Sequence, residues 1–382
     1  METRKIYYED CHQYEFTAQV TGCQEGNGGF LITLDATAFY PEGGGQACDL
    51  GTLGDVTVLG VQERDGAIFH LCDAALAVGQ QVRGVVDRQR RLDLMQQHTG
   101  EHIVSGIICR RYGWHNVGFH IGNEGITIDF DGPIRAEDLA EIEAEANRAV
   151  WENLPVRCWV PAPEELPTVQ YRSKKALDWP VRIVEVPGVD SCACCGVHVA
   201  RTGEVGLIKL FSCVKFHQGV RIEMACGGRA LRVLNTVYDQ NRQVSQAFSA
   251  KIFETGEAAR RMNSRLSETE YRCAALERQI WDNIAAGYAG KGNVLHMDTD
   301  LTPLAVRELA DRIAAVCGGT AAVVCSGSIC LMGPAGEVAE LGKELKAELN
   351  ARGGGKPGIF QGTVPVDNAQ LAAFFRSRFT ME

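Results

Sequence analysis

Four side chains suited to a single metal ion lie in two distant stretches of this sequence. His98 and His102 stand four positions apart in MQQHTGEHIV, and Cys194 and His198 stand four apart in CACCGVHVARTGEVG. If one divalent ion takes all four, the two stretches must meet, and the rest of the chain has to be arranged around that meeting point. On a helix, a four-residue spacing puts both members of a pair on one face. Neutral imidazole and thiolate together prefer a tetrahedral Zn²⁺. The plain alternative is a set of ordinary polar residues, with Cys194 buried as a small hydrophobe.

The chain has 382 residues, too many for one typical core, so two or three domains are expected. Its 45% apolar and 23% charged content is that of a globular protein. No apolar run is long enough to span a bilayer. The opening METRKIYYEDCHQYEF has no apolar core of a secretory signal. Fifteen cysteines spread over a large chain without an export signal are expected to be reduced thiols in a cytoplasmic protein. A formal net charge of −10 argues against non-specific coating of nucleic acid, while leaving room for a local basic track.

Along the chain the hydrophobic period changes several times. Residues 1–90 read as β-rich, with alternating stretches at Gly29–Leu34 and Val56–Val61 between Gly and Asp turns. From about Asp87, the residues Leu92, Met95, Thr99, His102, Ile103 and Gly106 recur at helical spacing. A strand at Ile126–Phe130, an amphipathic helix at Ala136–Asn153 and strands at Val156–Val160, Val181–Val186, Val205–Phe211 and Val220–Ala225 make the middle region α+β. Met262, Leu266, Thr269, Cys273, Leu276 and Ile280 alternate at spacings of three and four. That predicts one long helix within residues 230–285, a coiled coil or strut whose upstream half is weakened by Gly256. The last part alternates helices at Pro303–Cys317, Gly336–Asn350 and Asn368–Phe379 with strands at Ala321–Cys325 and Ile329–Met332.

Several further motifs admit two readings. In Phe39-Tyr-Pro-Glu-Gly-Gly-Gly-Gln46, three glycines allow a close backbone approach to a ligand, and Gln46 offers both donors and an acceptor. The same run could be only a turn. His98-Thr-Gly-Glu-His102 fits the H-x-x-E-H pattern of inverted zinc peptidases, in which Glu101 would activate water. That reading leaves Cys194 and His198 unused. Otherwise Glu101 is a solvated helix carboxylate. His120, in GFHIG, is a substrate contact or a half-exposed loop residue. Arg88, Arg90, Arg91, Arg110 and Arg111 form either a solvated face or, for a polyanionic partner, phosphate contacts. Gly353-Gly-Gly-Lys-Pro-Gly358 could be a phosphate-contacting nest with Lys356 or a flexible turn.

Taken in order, FYPEGGGQ, MQQHTGEH, GFHIG, CCGVHVARTGEVG and GVRIEMACGGRAL resemble the editing domain of alanyl-tRNA synthetase, and most of all the AlaX trans-editing proteins. The resemblance covers roughly residues 1–235. The long helix and the GGGKPG-bearing tail resemble the C-terminal domain shared by alanyl-tRNA synthetases and DHH phosphoesterases. The resemblance implies an α+β fold with four parts: an N-terminal small β-barrel at 1–90, a zinc-binding editing core at 91–235, a long helical linker at 236–290 and a DHH-associated domain at 291–382. It implies zinc on His98, His102, Cys194 and His198. It implies a pocket lined by Gly43, Gly44, Gly45 and Gln46, with His120 helping to bind substrate. The implied reaction is hydrolysis of Ser-tRNA(Ala) or Gly-tRNA(Ala); the candidate catalytic set is Glu101, for its place between the metal-ligand candidates, with Gln46 and His120. Contacts to the tRNA would come from Arg88, Arg90, Arg91, Arg110 and Lys356, and the long helix and C-terminal domain could form a homodimer. Where the family often has C-G-G-T-H this chain has Cys194-Cys195-Gly196-Val197-His198, so Cys192 or Cys195 could compete for the metal. Many synthetase editing sites carry Thr where Glu101 stands. The rivals are a zinc metallopeptidase and a zinc-stabilised tRNA-binding module without activity.

The chemistry suits a sieve. A pocket built for alanine's methyl group rejects serine's extra hydroxyl poorly. A second site that bonds the hydroxyl can select for it, because an unpaired buried polar group costs about 1–3 kcal/mol. If all four protein ligands bind zinc at once, the metal has no open position and acts as a template, unless one ligand leaves.

Overall fold

A computed structural model describes residues 2–122, 125–173, 177 and 179–379. The fold is mixed α+β, and the chain divides into two compact units, Met1–Gln243 and Val244–Glu382.

In the first unit, six antiparallel strands form a closed barrel in the order Glu15–Gly26, Gly29–Leu34, Ala67–Cys72, Val56–Arg64, Gly51–Leu53 and Gln81–Val86, and the last pairs back to the first. Period-two patterning builds it. Phe16, Ala18 and Val20 alternate inward along the first strand, and Val56, Val58 and Val61 along another, where a register shift between Val58 and Gly60 keeps both ends facing the core. His70 is also inside and fully buried. Its Nδ1–H donates to the Ile32 carbonyl at 3.1 Å, and its Nε2 accepts from the Thr37 hydroxyl at 2.8 Å. The imidazole is therefore satisfied as the neutral tautomer.

Directly after the barrel comes the histidine helix, Arg88–Tyr112. The Asp87 side chain accepts from the Arg90 backbone N–H at 3.0 Å and caps its start. Gly113, in the left-handed region at φ 74°, ends it. Met95, Ile103, Val104, Ile107 and Ile108 pack into the main core of this unit, and the polar face that carries the histidines is buried as well. The helix lies among two sheets of that unit. One has four antiparallel strands, in the order Ile208–Phe216, Gly219–Cys226, Ile126–Phe130 and Asn116–Ile121. The other has three, Arg157–Trp159, Ile183–Val186 and Asp190–Ala193. A helix at Leu139–Trp151 packs against the same core.

The seam lies in one long helix, Thr255–Ala286, as its spacing predicts, while the upstream part of the segment forms a separate helix, Gly227–Ala247. The break falls at Phe248–Glu254, where Ser249 adopts a positive φ of 49°. Such a residue cannot continue a right-handed helix.

In the second unit, five strands run in the order Gly292–Asp298, Gly318–Cys325, Ser328–Met332, Ile359–Thr363 and Arg352–Gly354, with only the first pair parallel. Alternation along Gly318–Cys325 sorts its side chains between two layers. Ala321, Val323 and Cys325 join the core under the helix Pro303–Cys317, while Ala322 and Val324 join the core under the helices Ala335–Leu349 and Asn368–Arg376. No helix among the described residues is long and apolar enough to cross a membrane.

Candidate metal centre and catalytic cavity

The two stretches meet. Nitrogen atoms of His98, His102 and His198 and the sulfur of Cys194 all lie within 4.8 Å of one another, and all four side chains are buried or half-buried. His98 and His102 share one face of the histidine helix, as their spacing requires. Cys194 and His198 do not. They stand in the irregular segment after the strand Asp190–Ala193, so backbone turns rather than helical periodicity bring that pair together.

Each imidazole is held from behind. His98 Nδ1–H donates to the Gln46 side-chain carbonyl at 2.8 Å. His102 Nδ1–H donates to Asp190 at 3.1 Å. His198 Nδ1 lies 3.2 Å from the Thr99 hydroxyl. Because each Nδ1 is taken, each ring is left with Nε2 as its ligating nitrogen. For His98 and His198, Nε2 lies 3.4 and 3.5 Å from the Cys194 sulfur. The supports are themselves anchored. Arg172 grips Asp190 through Nε at 2.6 Å and a terminal nitrogen at 2.9 Å. Arg182 donates to the Cys194 and Gly196 carbonyls at 2.8 and 2.9 Å while lying over the Tyr8 ring, whose hydroxyl donates to the Cys195 carbonyl. A Cβ on Gly196 would stand 2.1 Å from His98 Cε1, so only glycine lets this loop pass the ring.

The electrostatics single out one sulfur. Burial alone would push the Cys194 thiol up, but the imidazoles of His98 and His102, with hydrogen bonds from His102 and His198, outweigh it and hold the thiol well below its usual range. Burial, above all, raises Cys192 and Cys195 instead. Cys192 also lies with His102 and Asp190 in a second group of potential ligand atoms. At His102, burial opposes the charged form, but the Cys194 charge and the Asp190 bond overcome it and raise the group well above its usual value. Burial, reinforced by His98 and His102, keeps His198 well below that value.

Beside the cluster lies a cavity of about 400 Å³, lined among others by Gly44, Gly45, Glu101, Asn116, Phe119 and Arg172. Glu101 is 4% exposed, so it is not a solvated helix carboxylate. Its Oε1 accepts from the Ser105 hydroxyl at 2.6 Å and from Asn116 Nδ2 at 2.5 Å. Its Oε2 lies 3.9 Å from His102 Nε2. The glycine run contributes Gly44 and Gly45, both at positive φ, and a Cβ on Gly45 would stand 2.7 Å from the Phe119 ring.

Several expected residues lie elsewhere or have other work. Gln46, 1% exposed, does not line this cavity; it braces His98. The Gly43 N–H is committed to the Gln46 carbonyl at 3.1 Å and is not a free donor. His120 is exposed and lines a separate depression together with Gly43, Gly45 and Gln46, so these expected residues do share one pocket, but not the one beside the four-residue cluster. Its neighbour Phe119 points the other way along the same strand and stacks on His98 at 5.3 Å. Arg91 is no phosphate contact. It is fully buried, bonded to Asp49 and to the Ala38 and Cys11 carbonyls. Arg90 donates to the Cys48 carbonyl, and Arg110 to the Gly188 carbonyl and to Glu145. Arg88 and Lys356 are exposed. The residues that sequence reasoning missed are Thr99, Ser105, Asn116, Phe119, Arg172, Arg182 and Asp190. Only Phe119 carried a signal, since the GFHIG block was noticed but read through its histidine.

The family of class II (A) tRNA synthetases matches residues 3–90, and the second additional domain of threonyl and alanyl tRNA synthetases matches residues 181–223. The chain is 35% identical over 292 residues to an alanine–tRNA ligase of Thermofilum pendens, covering 73% of this chain and 32% of the ligase. It therefore spans about a third of that relative's length. It is 26% identical over 384 residues to the alanyl-tRNA editing protein Aarsd1 of Mus musculus and 25% over 396 residues to that of Danio rerio. Those alignments cover 92% of both chains in the first case, and 97% of this chain and 96% of the relative in the second.

Proposed function

Because this chain belongs to the AlaX-type group of the alanyl-tRNA synthetase editing family, we propose that it is a trans-editing deacylase. Its substrates on this reading are the seryl and glycyl esters of tRNA(Ala), cleaved at the 3′ end. The observation that carries the reading is a buried carboxylate, Glu101, in the wall of a cavity that also holds the three-imidazole, one-thiolate cluster.

The donor set fits zinc. Three imidazoles with Nδ1 already engaged and one thiolate make a mixed nitrogen and sulfur site, which suits a borderline-soft ion and not a hard one. His98, His102, Cys194 and His198 would hold it. When bound, zinc supplies a fixed positive centre that orients the ester end of the substrate. The remaining work falls to protein groups. Ser105 and Asn116 fix Glu101 through Oε1, which leaves Oε2 to take a proton from the attacking water. Gly44 and Gly45, which line the cavity at positive φ, bring backbone N–H groups near the carbonyl where negative charge develops. The Phe119 ring, stacked on His98, forms part of the cavity wall.

The test is deacylation by purified protein of Ser-tRNA(Ala), Gly-tRNA(Ala) and Ala-tRNA(Ala), with a peptide pool as control. Loss of the seryl and glycyl esters with alanyl ester spared is the expected result. Glu101→Gln should slow that loss by about 10²–10⁴-fold with tRNA binding retained. Unchanged turnover in this variant removes Glu101 as the base, and binding without turnover in the parent protein removes the enzyme.

A further inference from the structure

Asn116 is 6% exposed, lines the cavity, and carries a side-chain oxygen with no hydrogen-bond partner among the described residues. The orientation of its amide follows from chemistry. Oε1 of Glu101 can only accept, and it lies 2.5 Å from one end of the amide, so that end is Nδ2. The Ser105 hydroxyl, 3.4 Å from the same nitrogen, is already donating to Glu101. Oδ1 is thus the acceptor left over, buried where no donor among the described residues reaches it. Such an orphan is rare in a folded protein and calls for a partner that arrives with a ligand. Beside it, Glu101 adds a carboxylate whose Oε2 has no nearer cationic partner than His102 Nε2, at 3.9 Å. Asn116 and Glu101 both line the cavity, so two acceptors and a carboxylate charge stand together in its wall. A group that meets all three carries several N–H bonds and a positive charge.

We infer that Asn116 Oδ1, with Glu101 beside it, receives the free α-ammonium group of the aminoacyl ester. The substrates are then esters whose amino group is unblocked, and the choice among side chains is left to the rest of the cavity. The contact gives the site its grip on an aminoacyl end and excludes esters whose nitrogen is acylated, such as a peptidyl-tRNA. This assignment rests on the deacylase reading and adds the group by which the substrate is held. A serine hydroxyl is the other donor that could sit there; it brings one O–H and no charge, and it is absent from a glycyl ester.

The experiment compares enzymatic acceleration over the spontaneous rate for four tRNA(Ala) esters: seryl, glycyl, N-acetylseryl, and the 2-hydroxy analogue of the seryl ester in which –OH replaces –NH₃⁺ without added bulk. The inference expects seryl and glycyl esters to be accelerated, and both modified esters to lose about a hundredfold or more of that acceleration. A 2-hydroxy analogue cleaved as fast as the seryl ester overturns it, as does a glycyl ester left intact. An intact seryl ester instead overturns the deacylase reading on which the inference stands. Asn116→Leu ties the effect to this residue. It disturbs Glu101 equally for every ester, so the seryl-to-hydroxy ratio should collapse toward one, and a ratio unchanged from the parent protein removes Asn116 from the role.

Discussion

At the scale of single residues, the centre depends on groups that never touch an ion. Gln46 fixes the tautomer and tilt of His98 through one bond, so Gln46→Leu should leave the four donors present but lower zinc affinity by about 10–100-fold. Competition against a chromophoric chelator measures that directly, and parent-like affinity would show His98 to be held by packing alone. His70 offers a different test, far from the centre. Burial pulls its imidazole down to about 4, against an ordinary value of 6.5. Between those values the unfolded chain binds a proton that the folded chain refuses, so stability rises with pH across the window. The contribution is fully present above about 6.5 and is lost as pH falls toward about 4. A shift of this size corresponds to about 3 kcal/mol. Urea unfolding midpoints at a series of pH values should show the loss, and His70→Gln should flatten the curve in that window.

At the scale of elements, the tightest constraints lie where loops cross the histidine helix. Gly196→Ala puts a methyl 2.1 Å from the His98 ring, and the loop must shift by enough to move Cys194. The expected cost is about 1–3 kcal/mol, with metal content and thermal midpoint falling together. A variant with unchanged metal content would mean that the loop has slack. The helix is tied to the barrel side by Arg91 and Asp49, both with no exposed side-chain surface. Removing the guanidinium alone strands a buried carboxylate. Arg91→Met should therefore cost about 3–5 kcal/mol, and adding Asp49→Leu should recover much of it, as paired unfolding curves would reveal.

The elements were legible in sequence wherever a period ran long. The helix Pro303–Cys317 and the strand pair Gly318–Cys325 and Ser328–Met332 follow from apolar spacing alone. The seam from Met262 to Ile280 correctly marks a helix, but the pattern could not reveal that the chain breaks at Phe248–Glu254, because a left-handed residue there is a serine and not a glycine. In the site, the four side chains that the fold brings together were legible because only a few residue types suit a metal. The supporting set was not. Asp190, Arg172 and Asn116 are common polar residues, and only the burial that tertiary structure imposes gives them a role.

At the scale of the whole molecule, a formal charge of −10 must be reconciled with the polyanionic substrate proposed for it. With Arg91 buried and Arg90 and Arg110 bonded to the protein, Arg88 and Lys356 are the exposed cations left from the expected set. A small number of phosphate contacts predicts a shallow but measurable salt dependence of deacylation: kcat/KM should fall severalfold between about 50 and about 200 mM salt, and less steeply than for a basic protein making many contacts. Complete insensitivity to salt would exclude phosphate contacts from the rate.

The brace on His98 comes from Gln46, on the far side of Asp87 from the helix that carries the ring. An excised fragment beginning at the helix would own every ligating atom yet let one imidazole swing free. The proposed metal site therefore extends across what looks like a natural cutting point, and dissecting the chain there would separate the instrument from its mount.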